Sequence, residues 1–185
     1  MKNTLPVFLF IFTSDNGPRR GANGHKSAGD LKGYKANIWE GGHRVPFIAR
    51  WPGQIKAGTK NDALISLTDI FATLCEITDT HGISGGEDSY IILKQLKGEI
   101  IDIDDENPRI FHSSTGIFAL RKGKWKYIEG VENDRNRVIR PDSSDFPGLL
   151  FDMSVDPCET NNVADDYPGI IKDMKEKLNV IKSQN

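Results

Sequence analysis

Residues 7–53 read VFLFIFTSDNGPRRGANGHKSAGDLKGYKANIWEGGHRVPFIARWPG, and this stretch decides how the fold is interpreted. Its first six residues, 7–12, are apolar and end abruptly in the turn-forming residues 13–17 (TSDNG). A short apolar run that is closed by a turn predicts a buried strand with a loop at its end. A second strand is predicted over residues 45–51, with Pro46 at its start or at a bulge.

Two polar residues, Asp15 and Asn16, come directly after the first predicted strand. Ligands of α/β sheets bind beyond the carboxyl ends of the strands, so a site is expected at this position. A carboxylate and an amide supply hard oxygen ligands, which suit Ca²⁺ or Mg²⁺. The same pair also suits an Asn-Gly turn that only closes a strand, and the spacing leaves that alternative open.

Four sequence blocks carry a family resemblance: residues 13–18 (TSDNGP), 31–35 (LKGYK), 40–46 (EGGHRVP) and 51–53 (WPG). In order and spacing they resemble the second half of the type I sulfatases of the arylsulfatase A-like group, and a weaker resemblance continues to the C-terminus. The resemblance implies an α/β fold. Part of an alkaline-phosphatase-like domain of sheet and helices is expected over residues 1–101. A small antiparallel sheet with a C-terminal helix is expected over residues 108–185.

The resemblance also implies roles for single residues. Type I sulfatases hydrolyse sulfate esters with a bound Ca²⁺ and a formylglycine that is made from a Cys or Ser. Asp15 and Asn16 are then implied as calcium ligands, and Lys35 as the residue that contacts the sulfate. A compact ammonium group suits an oxyanion, although a solvated surface lysine is the alternative. His25 and His112 are candidates for substrate contact, and each also suits an ordinary loop histidine.

The block at residues 40–46 is interpreted as structural. Glu40 and Arg44 carry opposite charges four residues apart, and the resemblance implies that they pair with each other. His43, which lies between them, is likewise given a structural role.

The nucleophile of the family lies in a Cys-x-Pro-x-Arg or Cys-x-Ala-x-Arg motif, and neither Cys75 nor Cys158 is in such a context. We therefore expect the C-terminal portion of a sulfatase, as a truncated product or one half of a split enzyme. Alone it should not turn over sulfate esters, because the covalent route needs a nucleophile. Calcium and formylglycine would serve a longer or paired chain. A non-catalytic remnant or binding module is an alternative, as is a phosphatase or phosphodiesterase of the same superfold.

The expected partners follow from the same interpretation. A sulfate ester or sulfated glycan is the expected substrate. A missing N-terminal half is one expected protein partner. Self-association is the other, because an unpaired strand invites it.

Composition limits the other classes of function. The 185 residues carry a formal net charge of −2, and the pI is near 6.1, which argues against a general polyanion binder. The sequence contains no basic patch with interleaved aromatic residues, which is the pattern that would indicate nucleic-acid binding. The apolar run at residues 7–12 is shorter than the roughly 20 residues that span a membrane. The two cysteines indicate neither a metal motif nor a disulfide framework, and they leave the compartment unknown.

Periodicity predicts the remaining elements. Thr68 and Asp69 should open a helix that Thr68 can cap, with Ile70, Phe71, Leu74 and Ile77 on one face. A short helical stretch follows at residues 90–97. An acidic linker at residues 102–107 marks the expected domain boundary.

The second part is predicted to contain a β-hairpin, a further strand and a final helix. The hairpin strands span residues 117–121 and 125–128. In the second of these strands, Lys124 and Lys126 alternate with aromatic residues, as in a half-buried strand. A further strand is expected over residues 149–153. The final helix begins at Pro168 and docks on the sheet through an apolar stripe: Ile170, Ile171, Met174, Leu178 and Ile181.

Overall fold

The computed structural model describes residues 8–80, 82–99, 107–132, 138–139 and 146–184. Within them the elements, in chain order, are β1 (Phe10–Thr13), α1 (Glu40–His43), β2 (Phe47–Arg50), α2 (Asp69–Ile77), α3 (Leu93–Leu96), β3 (Arg109–His112), β4 (Phe118–Lys122), β5 (Trp125–Ile128), β6 (Val131–Glu132), β7 (Val138–Ile139), β8 (Leu149–Asp152), a 3-10 helix (Ala164–Asp166) and α4 (Pro168–Gln184). The chain forms two compact units. Residues 1–15 and 46–103 make the first, and residues 16–45 and 104–185 make the second. Most of the predicted linker at residues 102–107 lies outside the described residues.

The first unit contains an antiparallel pair, β1 and β2, in which Phe12 lies opposite Ile48. Both predicted strands are therefore present, although each is shorter than expected, and Val7 lies outside the described residues. The expectation of a buried first strand is wrong on one face, since Phe10 and Phe12 are 59% and 56% exposed. The physical reason is that this sheet has only two strands among the described residues, and nothing there covers that face. On the other face, Ile11 lines a narrow gap together with residues of α2 and α3.

Helix α2 begins at Asp69, directly after Thr68 as predicted, but the predicted capping bond is absent. Thr68 has helical dihedral angles and makes no side-chain capping bond. Its hydroxyl group instead donates to Asp88 O at 3.3 Å and lies 2.9 Å from Ser66 Oγ. The buried carboxylate of Asp69 accepts the N–H groups of Ser66, at 2.7 Å, and Tyr90, at 3.0 Å. Asp69 thus takes the organising role that the sequence assigned to Thr68.

The second unit is built on a four-stranded antiparallel sheet in the order β3-β4-β5-β8. The predicted hairpin is confirmed as β4 and β5, and the predicted strand at residues 149–153 is confirmed as β8. The predicted helix α4 packs on one face of this sheet. In the resulting hydrophobic cluster, α4 contributes Ile171, Met174 and Leu178, and the sheet contributes Leu120, Tyr127 and Leu150.

The other face of the sheet is also covered, by residues that follow the Gly-rich loop at residues 16–35. Ile38 and Trp39 are almost fully buried, and they pack against Ala119, Ile128 and Phe151. A sheet with both faces covered has no solvated side, so the expectation of a half-buried β5 is wrong. Lys126, which the alternation placed on the solvent-exposed face, has no exposed surface.

No helix in the described part of the chain is both long and apolar enough to cross a membrane.

Candidate functional site

The loop at residues 16–35 is closed at its base by backbone hydrogen bonds. The N–H of Gly17 donates to Gly42 O at 2.8 Å, and the N–H of Lys35 donates to Pro18 O at 2.8 Å. A Cβ at Gly17 would overlap the carbonyl oxygen of Gly41. Only glycine therefore permits this close approach of the loop base to α1.

Lys35 lies at the corner of a tight turn. Asn37 N–H donates to Tyr34 O at 2.9 Å, and the side-chain oxygen of Asn37 accepts from Tyr34 N–H at 2.9 Å. Ala36 has φ +80°, the value that the third residue of a type II turn requires and that glycine normally supplies. The turn thus holds a strained alanine beside an exposed lysine.

A loop of the sheet meets this turn. The N–H of Ser114 donates to Ala36 O at 3.0 Å. The segment that begins with His112 therefore lies beside the residue that follows Lys35. His112 itself is exposed; its Nδ1 lies 3.2 Å from Ser113 O, and its ring lies 5.9 Å from that of Phe118.

A buried charge cluster fixes the segment that follows the turn. Lys126 Nζ lies 3.0 Å from Glu40 Oε1 and 2.7 Å from Glu159 Oε1. It also donates to Ile38 O at 3.1 Å. Glu159 Oε2 accepts the backbone N–H of Glu40 at 2.7 Å. Lys126, Glu159 and their bonds thus attach residues 38–40 to β5 and to the turn after β8.

This cluster corrects the predicted partner of Glu40. Its carboxylate pairs with Lys126 and, at 3.7 Å, with Arg121 Nη1, whereas Arg44 contributes only a weaker electrostatic effect. Burial by itself would raise the pKa of Glu40, but the positive charges of Lys126 and Arg121 hold it below its usual value. Burial raises the pKa of Glu159, and Lys126 offsets this only in part. The two carboxylates around one ammonium group are therefore not equivalent.

His43 is structural in its surroundings, as predicted. Its ring lies 5.3 Å from that of Phe111. Its Nε2 is buried with no hydrogen-bond partner in the described part of the chain. Burial, together with the charge of Lys126, lowers the pKa of His43 to about 4. The neutral imidazole is therefore the form that this site holds.

The turn at residues 156–162 (DPCETNN) follows β8. The left-handed residue of this turn is Glu159, with φ +56°, so position 158 does not need glycine. Asp156 accepts the N–H groups of Thr160 and Asn161. Burial alone would raise the pKa of Asp156, but these donors outweigh it and lower the pKa. The turn thereby fixes the backbone that aims Glu159 at Lys126.

The predicted site residues are distributed over both units. Asp15 ends the first part of one unit, and Asn16 begins the other. Asp15, His25 and Lys35 are exposed, and Asn16 is partly buried. The backbone brings the surroundings of Asn16, Lys35 and His112 together, through the bonds of Gly17, Lys35 and Ser114. A shared site of Asp15, Asn16 and Lys35 stays a prediction.

The donor chemistry at residues 15 and 16 fits part of a calcium site. A carboxylate and an amide oxygen are the ligands that Ca²⁺ prefers, but two residues fall short of the 6–8 oxygens that it takes. Within the described ranges, no group of three or more His, Cys, Asp or Glu residues is arranged to hold a metal ion.

Sequence reasoning missed Lys126 and Glu159. The alternation in β5 predicted that Lys126 is exposed, because Lys is rarely buried unless it is paired. The second lies 119 residues after Glu40, whose N–H it accepts.

Comparisons with known proteins agree with this architecture. The sulfatase family model matches residues 2–80. N-acetylgalactosamine-6-O-sulfatase of Bacteroides thetaiotaomicron is 33% identical over an alignment that covers 95% of this chain and 36% of that protein. Arylsulfatase A of Bos taurus is 31% identical, with coverage of 95% and 38%. The chain thus spans little more than a third of the length of these relatives.

A solved structure gives the same result for the fold. It comes from work on the metabolism of multiple glycosaminoglycans by Bacteroides thetaiotaomicron. It superposes on 95% of this chain, and on 38% of its own length, with a TM-score of 0.79 and 32% identity. Together with the mixture of helices and small antiparallel sheets, this likeness confirms the predicted α/β, alkaline-phosphatase-like fold class.

Proposed function

Because this chain belongs to the sulfatase family, we propose that it supplies the C-terminal portion of a sulfuric ester hydrolase. The observation that carries the proposal is the turn around Lys35. Hydrogen bonds to Pro18, Asn37 and Ser114 fix the turn, and Lys35 is exposed at its corner. A fixed cation that faces solvent suits a sulfate group whose negative charge grows during hydrolysis.

In this proposal the residues of the chain bind and orient the substrate. Lys35 holds a sulfate oxygen through its ammonium group. His112, whose segment bonds to Ala36, and His25, in the Gly-rich loop, contact the remainder of the substrate. The buried bonds of Lys126 to Ile38 and Glu40 keep the segment after Lys35 from moving when the sulfate binds.

Asp15 and Asn16 would hold Ca²⁺ together with ligands from the rest of the enzyme. When bound, the ion would neutralise charge on the sulfate ester. The formylglycine nucleophile would also come from outside this sequence, because neither Cys75 nor Cys158 lies in the required motif. The proposed protein partner is therefore an N-terminal sulfatase portion, on the same polypeptide or on a second one.

The substrate class that we propose is a sulfate ester of a sugar. The name of the bacterial relative, an N-acetylgalactosamine-6-O-sulfatase, supports a sulfated glycan over a simple aryl sulfate. Aryl sulfates nevertheless serve as a convenient probe, since they test hydrolysis without testing recognition of the sugar.

The decisive experiment joins the N-terminal portion of that bacterial relative, up to the matched region, to this chain. The chimera should hydrolyse an aryl sulfate, and this chain alone should not. Lys35→Ala in the chimera should lower kcat/KM by about a hundredfold or more, the usual effect of removing one charge-stabilising group. Lys60→Ala, at an exposed position outside this loop, is the matched control and should retain activity within about threefold, the effect of one exposed charge.

The alternative function is a non-catalytic sulfatase-like binding module. The absence of the nucleophile motif from this sequence favours it. A folded chimera without turnover, together with retained binding of a sulfated sugar by this chain, would support the module and overturn the enzyme. Turnover by this chain alone would contradict both.

A further inference from the structure

The Gly-rich loop carries a concentration of positive charge that the whole chain does not. Residues 16–35 contain five basic residues, Arg19, Arg20, Lys26, Lys32 and Lys35, against the single acidic residue Asp30. The chain as a whole has a net charge of −2. The overall charge therefore conceals a local positive region, which can attract an anion over several ångströms.

Contacts within the loop place two of these cations, Arg19 and Arg20, close to Lys35. Ser27 Oγ donates to Arg19 O, which ties the two arms of the loop together. The guanidinium group of Arg20 lies 6.0 Å from the ring centre of Tyr34, next to Lys35. Lys35 in turn bonds through its N–H to Pro18. Arg19 and Arg20 thus lie beside the turn that holds Lys35.

Three of the cations are available to a ligand. Arg19 and Arg20 are exposed, and within the described part of the chain no carboxylate pairs with them. Lys26 pairs with Asp30 at 3.1 Å, but both side chains are at least three-quarters exposed, so water and salt weaken that bond. Lys32, by contrast, is engaged over the ring of Trp39 at 3.5 Å.

We propose that Arg19, Arg20 and Lys26 form a binding surface for an extended sulfated polysaccharide, here called the basic loop face. It would bind sulfate groups that neighbour the one that Lys35 holds. Guanidinium groups suit this task because their planar forks donate two parallel bonds to an anion such as sulfate. The choice of a sulfated polysaccharide over another polyanion rests on the proposed function.

The test measures binding without turnover. The full chain is titrated with heparin, with chemically desulfated heparin and with double-stranded DNA, by calorimetry at about 0.05 M salt, where exposed charges are only partly screened. The double variant Arg19→Ser and Arg20→Ser removes the two guanidinium groups. The double variant Lys56→Ser and Lys60→Ser is the matched control, because it removes the same charge from exposed positions of the other unit.

Heparin should bind, desulfated heparin should not, and DNA should bind at least about tenfold more weakly than heparin. The arginine variant should weaken heparin binding by about tenfold, as expected for two exposed contacts. The lysine variant should stay within about twofold of the parent chain.

Equal binding of DNA and heparin would overturn the polysaccharide assignment. Equal weakening by the two double variants would overturn the location. No binding of heparin, while the chimera described above hydrolyses an aryl sulfate, would overturn this inference and leave the proposed function standing.

Discussion

Lys126 Nζ lies 3.0 Å from Glu40 Oε1, across 86 residues of sequence and in a buried position. Glu159 lies on the same ammonium group at 2.7 Å. Among the ion pairs described in the second unit, that of Lys126 and Glu159 has the least exposed side chains, at 1% and 0%. Buried ion pairs of this kind are costly to break from one side, because the remaining partner keeps its charge without compensation.

Lys126→Met should therefore lower the free energy of unfolding by about 3–5 kcal/mol, the loss typical of one partner of a buried pair. Lys124→Met is the matched control, two residues earlier on the same hairpin. Lys124 pairs with Asp152 at 2.6 Å but is half exposed, so its loss should cost at most about 1 kcal/mol. Urea denaturation measures both, and equal losses in the two variants would contradict the role given to Lys126.

The pH dependence of stability should carry a contribution from His43. Burial lowers its pKa to about 4 in the folded state, whereas the unfolded chain takes up the proton near 6.5. Between these values the unfolded state binds more protons, so stability falls as the pH drops from about 6.5 towards 4. Above pH 6.5 the contribution is fully present.

His43→Phe removes that titration and also removes the buried Nε2 that lacks a partner. Between pH 7 and pH 5 the variant should lose about 2 kcal/mol less stability than the parent chain. Denaturant midpoints at the two pH values provide the measurement. His25→Asn, at an exposed position, is the control, and the same gain in that variant would count against a specific role of His43.

Ala36→Gly should stabilise the second unit. Ala36 has φ +80°, a conformation that costs a non-glycine residue about 1 kcal/mol. The expected gain in unfolding free energy is about 0.5–1 kcal/mol, reduced by the greater freedom of glycine in the unfolded chain. Ala28→Gly in the preceding loop has no positive φ to relieve and should be neutral or slightly destabilising. A loss of stability on Ala36→Gly would show that the turn does not hold this strain.

Phe12→Lys should reduce concentration-dependent association of the chain. Phe10, Phe12 and Ile48 form an exposed apolar face on β1 and β2, and a charge on such a strand opposes pairing between molecules. Light scattering over a range of protein concentrations measures the change. Val155→Lys, at a highly exposed apolar residue outside this sheet, is the control and should change scattering little.

The sequence predicted the elements whose periodicity is local. The apolar stripe of α4 and the hairpin β4–β5 appear where expected, because both depend on neighbours within a few residues. The cap on α2 was predicted wrongly, because the hydroxyl group of Thr68 bonds instead to Ser66 and to Asp88, and Asp88 lies 20 residues away in sequence.

Of the candidate site, the sequence indicated only the blocks that contain Gly17 and Lys35. Gly17 and Lys35 lie in blocks that carry the resemblance; the structure places Gly17 close to α1 and Lys35 in a tight turn, and the role of Lys35 stays a prediction. The sequence analysis placed Lys126 on a solvent-facing side of β5, because alternation along one strand cannot show whether other residues cover that face of the sheet. The covering residues, Ile38 and Trp39, arrive from almost ninety residues earlier.

The contact between Glu159 and the N–H of Glu40 spans 119 residues, and such distant pairings form slowly because a long loop must first be closed. During synthesis, Glu40 emerges from the ribosome well before either Lys126 or Glu159 exists. The segment that carries Lys35 therefore lacks its ionic anchor until residue 159 has been made. Its final geometry is acquired late, and chaperone dependence or early proteolysis should be focused there.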